Sequence, residues 1–171
     1  MKNFIVRAVL FLSIAGGVAQ HVGAAPIDEL DRFAGTWRSQ GSFVDGPYSK
    51  ASSSTATSAC AWSVGRTFMI CQQSVTTEGK TTYDLGIYTY NRDSSTYRFY
   101  NVEPGQTTSS AITVSGNTIT YPFSFTDKGK KVMTRTLNIW ESANLYRWRA
   151  EYSTDAGASW NLMGSGSSQR Q

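Results

Sequence analysis

Histidine is almost missing from this chain of 171 residues; the only one is His21. His21 lies inside a segment that reads as an export leader, so the rest of the protein has none. That lack excludes Ser-His-Asp and Cys-His catalysis, and it excludes haem or zinc held by histidine. Cysteine is scarce too: there are two, and no C-x-x-C spacing for a redox pair. Charge is sparse, with 16% charged residues and a formal net charge of +4. The basic residues are scattered except for Lys128, Lys130 and Lys131, which sit on a turn and read as a solvated loop tip. This is no nucleic-acid footprint. Beyond the leader, no apolar run approaches the length of a membrane helix. The expectation is no metal, no cofactor, no nucleic-acid partner and no stable membrane anchor.

The leader is read from three features. Lys2 and Arg7 make a positive start, Ala8 to Val18 carry no charge, and Val22-Gly23-Ala24 is a small-residue cleavage pattern. Cleavage is expected after Ala24, with Ala19 as the alternative. No Cys follows the cut, which argues against a lipid anchor. The prediction is a signal peptide over 1–24 and a single domain over 25–171, periplasmic or secreted from a bacterium. Without Lys2 and Arg7 the chain is closer to neutral.

Turn-forming residues then recur about every twelve positions. They are Asp45-Gly46-Pro47, Gly65-Arg66, Glu78-Gly79, Asn91-Arg92-Asp93, Glu103-Pro104-Gly105, Ser115-Gly116-Asn117, Asp127-Lys128-Gly129, Glu141 to Asn144, and Asp155-Ala156-Gly157. Nine corners imply ten strands, and the segments between them are rich in Thr, Val, Ile, Tyr, Phe and Trp. Residues alternate, with Tyr83, Leu85 and Ile87 on one face, and Ile119, Tyr121, Phe123 and Phe125 on another. Short connections make neighbours antiparallel. The predicted fold is all-β, a roughly ten-stranded antiparallel up-and-down barrel. The one helical candidate is Pro26 to Phe33, whose Leu30 and Phe33 could plug an end of the barrel.

Cys60 and Cys71 are the only pair in a chain read as exported, so a disulfide is expected. A two-residue type II′ corner at Gly65-Arg66 would place Val64 opposite Thr67 and Cys60 directly opposite Cys71. Directly opposed residues lie within disulfide reach.

The stretch "YSTDAGASW" places Ser153, Asp155, Gly157 and Trp160 in the S-x-D-x-G-x-x-W pattern of an Asp box, which recurs once per blade in sialidase-type propellers. Here it occurs once, and the chain is too short for six blades. A local role follows instead. Asp155 can accept turn N–H groups, Gly157 can supply a positive φ, and Trp160 can pack across the hairpin base.

"FAGTWRSQGSF" contributes a short helix followed by Gly35-x-Trp37 at the start of a first strand. It resembles the lipocalin and calycin superfamily. The resemblance implies that Trp37 closes one barrel end beneath an arginine from a late strand. Arg147, Arg149 and Arg170 are the candidates, with Arg149 favoured. Three motifs in order are similar to a bacterial exported lipocalin-like family of unknown function. They are Leu30, Phe33, Gly35 and Trp37; then Trp62, Gly65, Arg66 and Phe68; then Ser153, Asp155, Gly157 and Trp160. Ala156 departs from the glycine common at that place. The resemblance implies the fold and no activity.

A ten-stranded barrel can enclose a small ligand. Candidate ligand-binding residues are Tyr88, Tyr100, Arg135, Trp140, Arg147 and Trp148. Strand parity leaves two arrangements open. If Arg135, Arg147 and Arg149 point inward, they form a cationic site for an anion. If they point outward, they are surface charges paired with Glu141 and Glu151. The expected function is binding of a small, partly apolar molecule, anionic if the first arrangement holds, with no covalent chemistry. The alternatives are an interaction, inhibitor or envelope protein working through its loops, with a filled barrel, and a hydrolase or isomerase using a carboxylate pair such as Asp84 and Glu103.

Overall fold

The structure is a computed structural model that describes residues 26–171; the expected signal peptide over 1–24 lies outside the described residues. Ten strands follow a short 3-10 helix over Pro26–Phe33. They are β1 (Gly35–Phe43), β2 (Ser52–Trp62), β3 (Phe68–Thr77), β4 (Lys80–Asn91), β5 (Thr96–Glu103), β6 (Gln106–Ser115), β7 (Thr118–Asp127), β8 (Lys130–Ser142), β9 (Leu145–Ser153) and β10 (Asn161–Arg170). Each strand pairs antiparallel with its chain neighbour, and β10 returns to β1 to close the barrel. Closure removes the two outer edges an open sheet would expose.

The nine connections fall at the nine turn clusters read from the sequence. Two corners show why. Glu78 and Gly79 have φ of +50° and +76°, and Lys128 and Gly129 have +49° and +77°. Two consecutive positive φ values make the tight hairpin turn whose twist matches that of the flanking strands, and glycine takes its place in it without strain.

The corner at Gly65-Arg66 differs from the expected two-residue type II′ turn. Val64–Arg66 form a 3-10 turn, with Arg66 N–H donating to Ser63 O at 3.0 Å and Ser63 N–H donating to Phe68 O at 2.9 Å. Both Gly65 and Arg66 have positive φ. The wider corner sends Arg66 back to the N-terminal helix, where its guanidinium bonds Asp31 at 2.8 Å and Asp28 at 3.2 Å. The strand register survives, so Cys60 sits directly opposite Cys71 with Cα atoms 4.0 Å apart and a disulfide joining them.

The helix seals one end of the barrel. Its Leu30 and Phe33 are buried among Cys60, Met69, Tyr88, Ile112, Ile119, Tyr121 and Trp140. Trp62 Nε1 donates to Asp31 at 2.6 Å, and Arg66 lies 4.6 Å over the Trp62 ring, so the hairpin clasps the helix from outside. Trp37 is 1% exposed and donates Nε1–H to Phe33 O at 2.8 Å.

The arginine over Trp37 is Arg170, not the favoured Arg149; its guanidinium carbon lies 4.5 Å from the ring centre. The reason is register. Arg170 is directly paired with Trp37 across the β1–β10 closure, and directly paired residues share a face. Arg149 lies on the outer face of β9 and bonds Glu151 at 2.9 Å.

One seam is weak. β6 and β7 pair over only Thr113 to Ser115 with Thr118 to Thr120, whereas β7 and β8 pair along the whole of β7. Toward the open end β6 and β7 diverge. Pro122 stands in the divergent half of β7 and has no N–H to offer a partner strand.

Candidate functional site

The sealed end leaves space above it. A chamber of about 420 Å³ runs from the helix toward the open end. Its aromatic lining comes from Phe33, Tyr88, Phe99, Tyr121, Phe123, Tyr146 and Trp148, and its polar lining from residues such as Ser39, Gln73, Thr136, Asn138 and Ser168. An apolar wall with a few fixed polar groups suits a small organic molecule.

Strand alternation sets this lining. On β9, Tyr146, Trp148 and Ala150 reach the chamber, and on β8, Thr136 and Asn138 do. The intervening arginines therefore face outward. Arg135 Nε donates to Glu151 Oε2 at 2.8 Å and its guanidinium carbon lies 3.9 Å from the centre of the Trp160 ring. Arg147 pairs with Glu141. The outward arrangement is thus the one found. Glu151, itself buried, is held between Arg135 and Arg149 on the outer wall. Burying three guanidinium groups without counter-charges inside an apolar barrel would cost far more than placing them in water.

The six ligand candidates consequently separate. Tyr88 and Trp148 line the chamber. Trp140 is buried in the plug, edge-on to Phe33 at 4.9 Å and tilted on Tyr146 at 4.8 Å. Tyr100 alternates with the chamber residue Phe99 and so lies on the opposite face of β5. Arg135 and Arg147 are outside with their carboxylate partners. Residues not singled out as ligand candidates complete the site, notably Tyr121, Phe99, Tyr146 and Asn138. The arginines themselves were the signal that could have found Tyr146: the face opposite an arginine-rich one is the inner face.

At the floor, the Tyr88 and Tyr121 hydroxyls are 3.2 Å apart, and the two residues are 7% and 6% exposed. Burial pushes both phenols above their usual range, so both stay neutral in ordinary buffers. Tyr88 also stacks on Phe33 at 4.7 Å and tilts on Phe99 at 4.9 Å. On the opposite wall Ser39 bonds Ser168, and both hydroxyls bond Tyr146.

Trp148 lies against glycine backbone. A Cβ placed on Gly41 would come within 2.2 Å of Trp148 Cζ2 and 2.5 Å of Ser165 O. Only glycine lets the indole lie flat there.

The open end carries a loop over residues 44–51 whose Tyr48 packs edge-on against Phe125 at 5.5 Å and Tyr152 at 5.0 Å. Phe123 and Phe125 remain 37% and 43% exposed beside the seam. Asp84 and Glu103 flank the same end, one step beyond the last β4–β5 pair, Leu85 with Val102. Desolvation first, and the Glu103 charge second, raise the Asp84 carboxyl above its usual range.

The Asp-box residues build a turn. Ser159 N–H donates to Asp155 Oδ1 at 2.9 Å, Gly157 N–H donates to Ser153 Oγ at 2.8 Å, and Gly157 has a φ of +91°. Hydrogen bonds from Ser159 and Ser153 hold the Asp155 carboxyl well below the usual range. Trp160 lies beneath Arg135 on the outer wall. Among the described residues, no group of three or more side chains is placed to hold a metal ion. Among the described residues, no helix is long and apolar enough to cross a membrane.

No protein-family model matches the chain, and no curated protein matches its sequence. Solved structures do. The crystal structure of Rv2717c from M. tuberculosis superposes with a TM-score of 0.59 at 15% identity, covering 86% of this chain and 98% of that one. The structure of EF1p2_mFAP2b bound to DFHBI gives a TM-score of 0.45 at 14% identity, covering 86% of this chain and 100% of that one. A de novo designed fluorescence-activating β-barrel gives a TM-score of 0.44 at 14% identity, covering 84% of this chain and 98% of that one. At these identities it is the likeness to Rv2717c that carries weight, and it is a likeness of fold: a closed antiparallel barrel.

Proposed function

We propose that this protein is an exported lipocalin-like barrel, of the calycin type, that holds a small, partly apolar molecule without covalent chemistry. The chamber carries the proposal. A barrel that served only as a scaffold would gain stability by filling a space of about 420 Å³ with side chains. Here the sequence keeps serine and alanine on one wall, at Ser54, Ala56 and Ser58, opposite aromatic residues. Small residues against large ones leave room where none is needed for folding.

Export rests on the leader and on the disulfide, a bond that persists in oxidising compartments. The rival reading, an interaction protein working through its loops, called for a filled interior, and the open chamber supports ligand binding over it. Native mass spectrometry of protein purified from its own host tests the proposal. A retained small molecule is the expected result. An empty barrel, with no component of a host extract raising its melting temperature, refutes it.

A further inference from the structure

Granted the ligand-binding reading above, the shape of the chamber narrows the class of molecule. Trp148 reaches from β9 across β10 to β1, along the inner wall. A Cβ on Gly166 would come within 2.7 Å of its Cε2, and one on Gly41 within 2.9 Å of its Cη2. Gly166 and Gly41 are paired across the β1–β10 closure, so the two glycines make one shallow bed for the indole. Phe99 is seated in the same manner. A Cβ on Gly86 of β4 would come within 2.9 Å of Phe99 Cε2. Each ring has its back to glycine backbone, and both rings line the chamber. Glycine inside a strand weakens the strand, so it stands where something must come close. Here it lets each ring lie against the wall, where a ring standing up would fill the chamber.

The two rings lie on opposite walls. β5 is five steps from β10 in either direction around the closed sheet. Trp148 covers β10, and Phe99 belongs to β5. Both side chains are only partly buried, as rings with one open face are. On the way round through β2 the wall holds Ser54, Ala56 and Ser58, none of which projects far into the space. The space is a slot with a ring face on each side.

Charge does not select the ligand. Among the described residues, no charged side chain lines the chamber. The open end carries both signs, with Asp84, Glu103 and Asp127 as well as Lys80, Lys128, Lys130 and Lys131. A quaternary cation would find ring faces but no carboxylate inside. A saturated skeleton would fill volume but stack on neither ring.

We propose that the chamber takes a flat unsaturated ring system, held between the faces of Trp148 and Phe99. Three probes separate the options: 2-naphthalenemethanol, its decahydro derivative and tetraethylammonium, titrated by calorimetry against the oxidised protein. The two alcohols share a carbon skeleton and a hydroxyl and differ in flatness. The flat alcohol should bind about tenfold tighter than the saturated one, the worth of two ring contacts, with tetraethylammonium weakest. Trp148→Leu and Phe99→Leu each keep an apolar wall and remove one ring face. Each should cut that preference to about threefold. Equal binding of the two alcohols, tightest binding of tetraethylammonium, or a preference unchanged in both variants overturns the inference and leaves the ligand chamber standing. Failure of all three to bind overturns both. If one variant does not fold, the other decides; if neither folds, the ranking of the three probes on the natural protein decides alone.

Discussion

Arg170 and Trp37 are paired across the strand junction that closes the barrel, the guanidinium 4.5 Å over the indole. The same guanidinium donates to the carbonyls of Ala34, Arg32 and Ala143, joining the plug, the last strand and the β8–β9 corner. Trp37→Ala should destabilise the protein by about 3–5 kcal/mol, as large core truncations do. In a double-mutant cycle measured by denaturant unfolding, Trp37 and Arg170 should couple by about 0.5–2 kcal/mol. Trp37 and Arg149 should not couple. A reversed result would restore Arg149 to the closing role.

The Cys60–Cys71 bond staples two strands that are already neighbours and closes a short loop. Cys71→Ser should lower the melting temperature, by about 2–3 kcal/mol in stability, without preventing folding. Thiol titration of the unfolded wild-type protein should find none free.

Asp84 should show its environment through pH. Its carboxyl is raised in the folded state, so ionisation favours the unfolded chain. Asp84→Asn should therefore raise the melting temperature at pH 7. The gain should be complete above the raised folded value and should vanish below about pH 3.9, where the unfolded carboxyl is protonated as well. A gain that persists at pH 3 would assign the effect to packing instead.

Hydrogen exchange should expose the weak seam. The stretch of β6 from Gln106 to Ile112 has no β7 partner, so its seam-facing amides lack a ladder acceptor. They should exchange roughly 100-fold faster, or more, than the amides of β8, which is paired on both sides. Uniform protection around the barrel would contradict the divergence of β6 and β7.

Gly41 should resist substitution. Gly41→Ala must move both the Trp148 ring and the Ser165 carbonyl, and should cost about 1–3 kcal/mol, the usual range for overpacking. Its melting temperature checks this.

Much of this architecture is local. The hairpin corners at Glu78-Gly79 and Lys128-Gly129, the strand count, the helix over Pro26–Phe33 and the opposition of Cys60 to Cys71 follow from backbone preferences and chain spacing alone. Such features involve residues a few positions apart, and short-range sterics decide them. The alternation of β9 was legible in the same way, with Arg147 and Arg149 on one face and Tyr146 and Trp148 on the other.

What alternation could not state is which face looks inward, because parity is symmetric until the sheet curves. Closure of β10 on β1 broke that symmetry, sending the arginines out to Glu141 and Glu151 and the aromatics in. It also selected Arg170 for Trp37 and brought Tyr88 of β4 to Tyr121 of β7. The sequence by itself determined the strands and their corners, since these depend on neighbours along the chain. The tertiary structure alone decided the chamber, since its contents come from residues that meet only after the two ends of the sheet have joined.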